Sequence, residues 1–154
     1  MKKEGTALLK IVQMNEQNYK SVAAIEARCF TQPWSEKTFF EELSNPNAHT
    51  YLALDEGVPA GFLSVWEVCG EVSVNNIAVC EGSRRKGIAR ALLQAMLDEL
   101  SAAQSVTLEV RKSNAAAIAL YESFGFERAG ERRDFYSHPT ENALLYTKYL
   151  NGEN

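Results

Sequence analysis

A strand, a turn, a helix and a second strand follow one another near the middle of the chain. They restrict the fold more than any other feature. Residues 72–79 (VSVNNIAV) read as a β-rich run that Gly70 introduces through a tight connection. Residues 81–93 read EGSRRKGIARALL, and the ladder Ile88, Leu92, Met96, Leu100 marks an amphipathic helix over 88–100. A short strand at 105–110 closes the passage. A crossover of this length places its two strands parallel in one sheet.

The segments around it favour antiparallel pairing. Residues 8–14 read as a first strand. Runs 50–54 and 61–68, joined by DEGVPA, form a hairpin, and 126–133 and 143–149 give two more strands. Asn15 is a candidate cap for a helix presenting Tyr19, Val22, Ile25 and Cys29 on one face. Pro33 stops the chain, Ser35 caps, and a short helix runs to about residue 43. SNAAAIALYESF is an alanine-rich helix that Gly125 ends. The order β-α-α-β-β-β-α-β-α-β-β predicts an α/β fold: a mixed, mostly antiparallel sheet of about seven strands, with about four helices on both faces.

A length of 154 residues suits one domain, and 45 % apolar residues suffice for a core. A net charge of −4 argues against broad, nonspecific contact with nucleic acid, so the cations near residue 85 are a local feature. Cys29, Cys69 and Cys80 are widely spaced beside apolar residues, and they read as small core residues in a reducing compartment. His49 and His138 share no ligand spacing with them, and no metal is expected. The N-terminal apolar run is broken by Lys10, and no run reaches membrane-spanning length. The expectation is a cytoplasmic protein with no membrane partner.

The helix mouth poses a chemical question. Arg84, Arg85, Lys86 and Arg90 surround Gly87 where the helix dipole disfavours positive charge. A glycine turn from strand to helix points backbone N–H groups at one spot, and Gly87 with small Ala89 admits a close ligand, so a phosphate or pyrophosphate would satisfy the site. The spacing between Gly82 and Gly87 matches a P-loop, but Ile88 and Ala89 stand where Lys and Ser/Thr are needed. No G-x-G-x-x-G follows the strand, which argues against a dinucleotide fold. A solvated basic loop is the plainer account of this stretch taken alone.

The wider pattern is more specific. NIAV precedes RRKGIA, of the form R-x-x-G-x-A, and LEVR, SNAAA and LYESFGF follow. Together these resemble the GNAT acetyltransferase superfamily. With PWSEKTF near the first helices, they resemble its branch that acetylates the N-terminal alanine of a small-subunit ribosomal protein. The likeness spans nearly the whole chain, 1–154, as a single domain. It implies that the anion is acetyl-CoA, that Ile77, Ala78 and Val79 hold the pantetheine arm and acetyl carbonyl, and that the parallel strands splay apart around it. It implies that Arg84, Arg85, Lys86, Gly87, Ile88, Ala89 and Arg90 hold the pyrophosphate, with Asn114 both capping its helix and bonding the cofactor arm.

The same resemblance implies direct attack of an amine on the thioester, with Glu109 as general base and Tyr121 as general acid. Partial burial between Leu108 and Val110 would fit Glu109 for that work. The plainer readings are a surface glutamate paired with Arg111 and an ordinary core tyrosine. Trp34, Arg133, Asp134 and Tyr136 are the candidate acceptor-binding residues, Trp34 doubling as a hydrophobic staple for its helix. Phe135 stands where the branch has Tyr, and Asn142 where it has Asp. The competing functions are acetylation of a small amine or a lysine side chain, and a non-catalytic acetyl-CoA-sensing domain.

Overall fold

The computed structural model describes residues 8–84 and 86–150. The elements are β1 (Leu9–Gln13), α1 (Tyr19–Cys29), α2 (Glu36–Glu42), β2 (Ala48–Asp55), β3 (Val58–Val68) and β4 (Glu71–Val79). A 3-10 turn (Glu81–Ser83), α3 (Ile88–Glu99), β5 (Ser105–Arg111), α4 (Ala115–Ser123), β6 (Glu127–Tyr136) and β7 (Glu141–Tyr149) follow. The strands form one seven-stranded sheet in the order β1-β2-β3-β4-β5-β7-β6. The crossover gives its parallel pair, with Glu71, Val72 and Ser73 registered on Ser105, Val106 and Thr107. Both strands continue beyond those pairs, β4 to Val79 and β5 to Arg111. The element order predicted from the sequence is the one found.

The chain divides into two compact units. The first runs through Trp66 and resumes over Asn75–Leu100. In it, Val22, Ala23 and Ile25 of α1 and Phe39 of α2 cluster with Leu52, Phe62 and Ala78. Neighbouring residues of a strand face opposite ways, so Tyr51 points to the other face. There its hydroxyl donates to Glu99 Oε1 of α3, and Gln13 Nε2 donates to Glu99 Oε2 at 2.5 Å. Within this unit, helices therefore cover both faces of the sheet. Ile88, Leu92, Leu93 and Met96 form the buried stripe of α3. A Cβ added at Gly61 would stand 2.8 Å from the Ala78 carbonyl oxygen, so this glycine permits the close approach of β3 to β4.

The second unit comprises Glu67–Val74 and the chain from Ser101. Its centre is β5, along which Val106, Leu108 and Val110 are buried while Thr107 and Glu109 are exposed. Strand β7 pairs antiparallel with all of β5, from Ser105 on Tyr149 to Arg111 on Ala143, and β6 pairs on its far side. Helix α4 ties to β7 through the Tyr146 hydroxyl, which donates to Glu122 Oε2 at 2.8 Å.

Three local expectations need correction. The residue before α1 is Asn18, and it provides no side-chain cap. Asn15 instead folds the turn ahead of the helix, its Oδ1 accepting from the N–H groups of Gln17 and Asn18 at 2.8 and 3.0 Å. The β2–β3 connection is tighter than DEGVPA suggested, because Glu56 and Gly57 both take positive φ and close a two-residue hairpin. Cys69 is exposed rather than in the core. It sits at φ 53° in the two-residue turn between β3 and β4.

Candidate active site

The cationic turn is part of the first unit. Gly87 occupies the residue before α3 with φ 77° and ψ 17°, a left-handed conformation that disfavours other residues. A Cβ there would meet nothing within 4 Å, so the backbone angle and not crowding demands glycine. No acidic residue stands in the first turn and Gly87 offers no cap, while the N–H groups of Ile88 and Ala89 have no intrahelical acceptor. The helix mouth therefore keeps its positive end.

Arg84 and Lys86 are each engaged by a neighbouring strand. Arg84 Nε donates to the Val79 carbonyl at 3.1 Å, folding the turn back on the end of β4. Lys86 Nζ lies 3.3 Å from Asp55 Oδ2. Both residues are exposed. Arg85 lies outside the described residues. Of the candidate cofactor strand, Ala78 belongs to the core while Ile77 and Val79 are half-buried.

Tyr136 and Tyr121 are two perturbed phenols of the second unit. The Tyr136 phenol is pushed up to about 12, first by burial and then by the negative charge of Glu109, against the opposing charge of Arg111. Tyr121 is 4 % exposed, packs on Phe126 with ring centroids 5.8 Å apart, and is also pushed up to about 12 by burial and by Tyr136. The expected partial burial of Glu109 is not found: its side chain is exposed because it alternates to the outer side of β5, between buried Leu108 and Val110.

The pairing of Glu109 with Arg111 also gives way to another arrangement. Arg111 Nη1 donates to the Pro139 carbonyl at 2.9 Å and to Glu141 Oε1 at 3.2 Å, and Nη2 donates to the Ser137 carbonyl at 3.1 Å. Its guanidinium lies over the Tyr136 ring, 4.5 Å from the centroid. One side chain thus clasps the β6–β7 connection. Glu141 extends the clasp, accepting from the Ser113 N–H at 2.6 Å. Hydrogen bonds from Ser113 and Arg111 hold its carboxyl below the usual carboxylate range. The sequence reading missed both residues as site-builders, although the arginine in LEVR stood in plain view beside Glu109.

The remaining candidates are distributed as follows. Asn114 caps α4, its Oδ1 accepting from the Ala117 N–H at 3.1 Å. Arg133 and Asp134 are exposed on β6, Asp134 at φ 54° within a register shift. Asn142 uses both ends of its amide, accepting from the Asp134 N–H at 2.9 Å and donating to Glu131 Oε2 at 2.7 Å. An aspartate could not make the second bond. Trp34 acts as the staple of α2, its ring 5.5 Å from that of Phe39, and Ser35 caps with Oγ accepting from the Thr38 N–H at 3.1 Å. Among the described residues no group of three or more His, Cys, Asp or Glu could hold a metal ion.

A mixed sheet whose one parallel pair brackets a helix, entered through a left-handed glycine, is the fold of an acetyltransferase class. The chain belongs to the Acetyltransferase (GNAT) family, whose pattern matches residues 19–126. It is similar to the ribosomal protein bS18-alanine N-acetyltransferase of Salmonella typhimurium, with 46 % identity over 114 residues, 73 % of this chain and 76 % of the relative. The crystal structure of the ribosomal-protein-S18-alanine N-acetyltransferase from Escherichia coli superposes with a TM-score of 0.85 and 35 % identity, covering 95 % of this chain and 96 % of that one. Arabidopsis thaliana NAA60 in complex with acetyl-CoA shares the fold, with a TM-score of 0.83 at 18 % identity over 94 % of this chain and 99 % of that one.

Proposed function

We propose that this chain, as one functional domain, transfers the acetyl group of acetyl-CoA to the N-terminal α-amino group of a protein, an N-terminal alanine of a ribosomal protein in particular. The observation that carries this reading is the 46 % identity, over 114 residues, to an enzyme named for that reaction, in a chain that has Glu109 and Tyr121 at the positions the resemblance assigns. Acetyl-CoA supplies the activated thioester. On this reading its pyrophosphate meets the Gly87 turn, Ile77, Ala78 and Val79 offer backbone bonds to its arm, and Asn114 adds a polar contact.

Each residue then has a defined task. Glu109, exposed to water, accepts the amine proton directly or through a water molecule. Tyr121 donates a hydrogen bond to the departing sulfur. A phenol held near 12 keeps its proton against a thiol of ordinary value, about 8.5, so it stabilises the thiolate without surrendering the proton outright. Tyr136, Arg133 and Asp134 bond the acceptor backbone, and Trp34 adds a contact to the acceptor. An α-amino group, with a pKa of about 7.7–8.0, is neutral in about a tenth or more of molecules near pH 7. A lysine at about 10.4 is neutral in fewer than about one in a thousand. One solvated carboxylate suits the first acceptor far better than the second.

The test compares a peptide beginning Ala-Arg with the same peptide blocked at its N-terminus and carrying a free lysine, with mass spectrometry locating the acetyl group. Preferential α-amino acetylation is expected. Faster acetylation of the blocked peptide would move the protein to the lysine or small-amine branch. Glu109→Gln should lower kcat by about 10²-fold or more, with the defect shrinking as pH rises and the amine deprotonates itself. Near wild-type turnover by both Glu109→Gln and Tyr121→Phe would remove these roles.

A further inference from the structure

Among the described residues Glu26 is the one buried carboxylate, 2 % exposed on the inner face of α1. A buried carboxylate is costly unless every lone pair is engaged. Here Oε2 accepts from the Trp34 N–H at 2.9 Å, and Asn76 Nδ2 donates to Oε1 at 2.9 Å and to Oε2 at 3.1 Å. No cation is among these partners. The charge is held by one backbone N–H and one amide, which are directional donors. Its carboxyl is raised above the usual range by burial, which outweighs both hydrogen bonds. A site with this cost, filled by glutamate and not by an apolar residue of similar size, calls for a reason beyond packing.

The positions of its partners supply that reason. Trp34 lies in the connection between α1 and α2, immediately before the Ser35 cap, and its ring rests on Phe39. Asn76 lies on β4, immediately before Ile77, Ala78 and Val79. We propose that Glu26 is a positioning residue that fixes the α1–α2 connection to β4, setting the acceptor contact at Trp34 in register with the strand that carries the acetyl group. This rests on the functional reading above for what those two segments bind, whereas the linkage itself rests only on the hydrogen bonds.

The geometry predicts how substitutions behave. Glu26→Ala removes the acceptor for the Trp34 N–H and leaves the Asn76 amide unpaired. Glu26→Gln keeps an oxygen for Trp34, and its new NH2 group pairs with Asn76 once that amide turns its oxygen inward. Asn76→Ala removes one of the two anchors and leaves the other. A residue that merely packed would change stability alone.

Two readouts separate the linkage from the function. Amide hydrogen exchange, read with no substrate present, should show the Trp34 N–H exchanging at least tenfold faster in Glu26→Ala. Protection should return in Glu26→Gln, with β2 and β3 unchanged. Kinetics well below the unfolding midpoint, using an Ala-Arg peptide and any other amine the wild-type enzyme accepts, should show acceptor KM raised about tenfold in Glu26→Ala. It should recover to within about threefold in Glu26→Gln, with acetyl-CoA affinity held within about threefold. Asn76→Ala should show the same pattern at reduced size, and it serves in place of Glu26→Ala should that variant fail to fold. Unchanged exchange at Trp34 overturns the linkage whatever the acceptor proves to be. Altered exchange with unchanged acceptor KM overturns the positioning role. Acetylation of an amine other than a peptide N-terminus corrects the functional reading and leaves both readouts in force on that amine.

Discussion

Gly87 sets a test that its own backbone dictates. At φ 77° a β-branched residue would strain the turn, so a valine there would confuse loss of ligand with loss of fold. Asparagine tolerates this region and would project into open space. Gly87→Asn should keep the unfolding temperature within a few degrees and weaken acetyl-CoA binding about tenfold or more, as measured by calorimetric titration. A folded variant with unchanged affinity would show that the phosphates bind elsewhere. The glycine itself was legible because a cationic turn before an apolar ladder is a local pattern. The engagement of Arg84 with the Val79 carbonyl and of Lys86 with Asp55 was not legible. Asp55 is 31 residues away from Lys86 in sequence, and only the fold brings the two together.

At the level of elements, local signals located the strands and helices well, but the alternation along β5, which turns Glu109 to the exposed side, was misread as partial burial. The β6–β7 connection was harder, since its shape depends on Arg111, a side chain from a third strand. Arg111 should be sensitive to geometry more than to charge. Its planar fork serves two carbonyls and a carboxylate at once, which a lysine cannot do. Arg111→Lys and Arg111→Ala should therefore both raise acceptor KM about tenfold and leave acetyl-CoA affinity within about twofold, in steady-state assays paired with titration. Rescue by lysine would show that the positive charge over Tyr136 matters and that the clasp does not. The same reasoning explains why the asparagine at position 142 escaped interpretation: its two bonds reach Asp134 and Glu131, both on the neighbouring strand.

Across the whole molecule, the three cysteines are free and differ in exposure. Cys69 is exposed in its turn, whereas Cys29 and Cys80 are half-buried and burial pushes the Cys29 thiol up. Native protein should show one fast-reacting thiol and two slow ones with a thiol-specific reagent, and Cys69→Ser should remove the fast phase. Three fast thiols would mean that the first unit opens readily. The sheet order has a consequence for how the chain comes into being. The last strand, β7, lies between β5 and β6, although both precede it in the chain. During synthesis β5 emerges with one edge unpaired, and its seven partners span residues 143–149. No nascent chain that stops short of residue 149 can complete that ladder, so the second unit closes only after β7 has emerged. Truncation into β7 would thus remove an interior strand and leave both β5 and β6 without their shared partner.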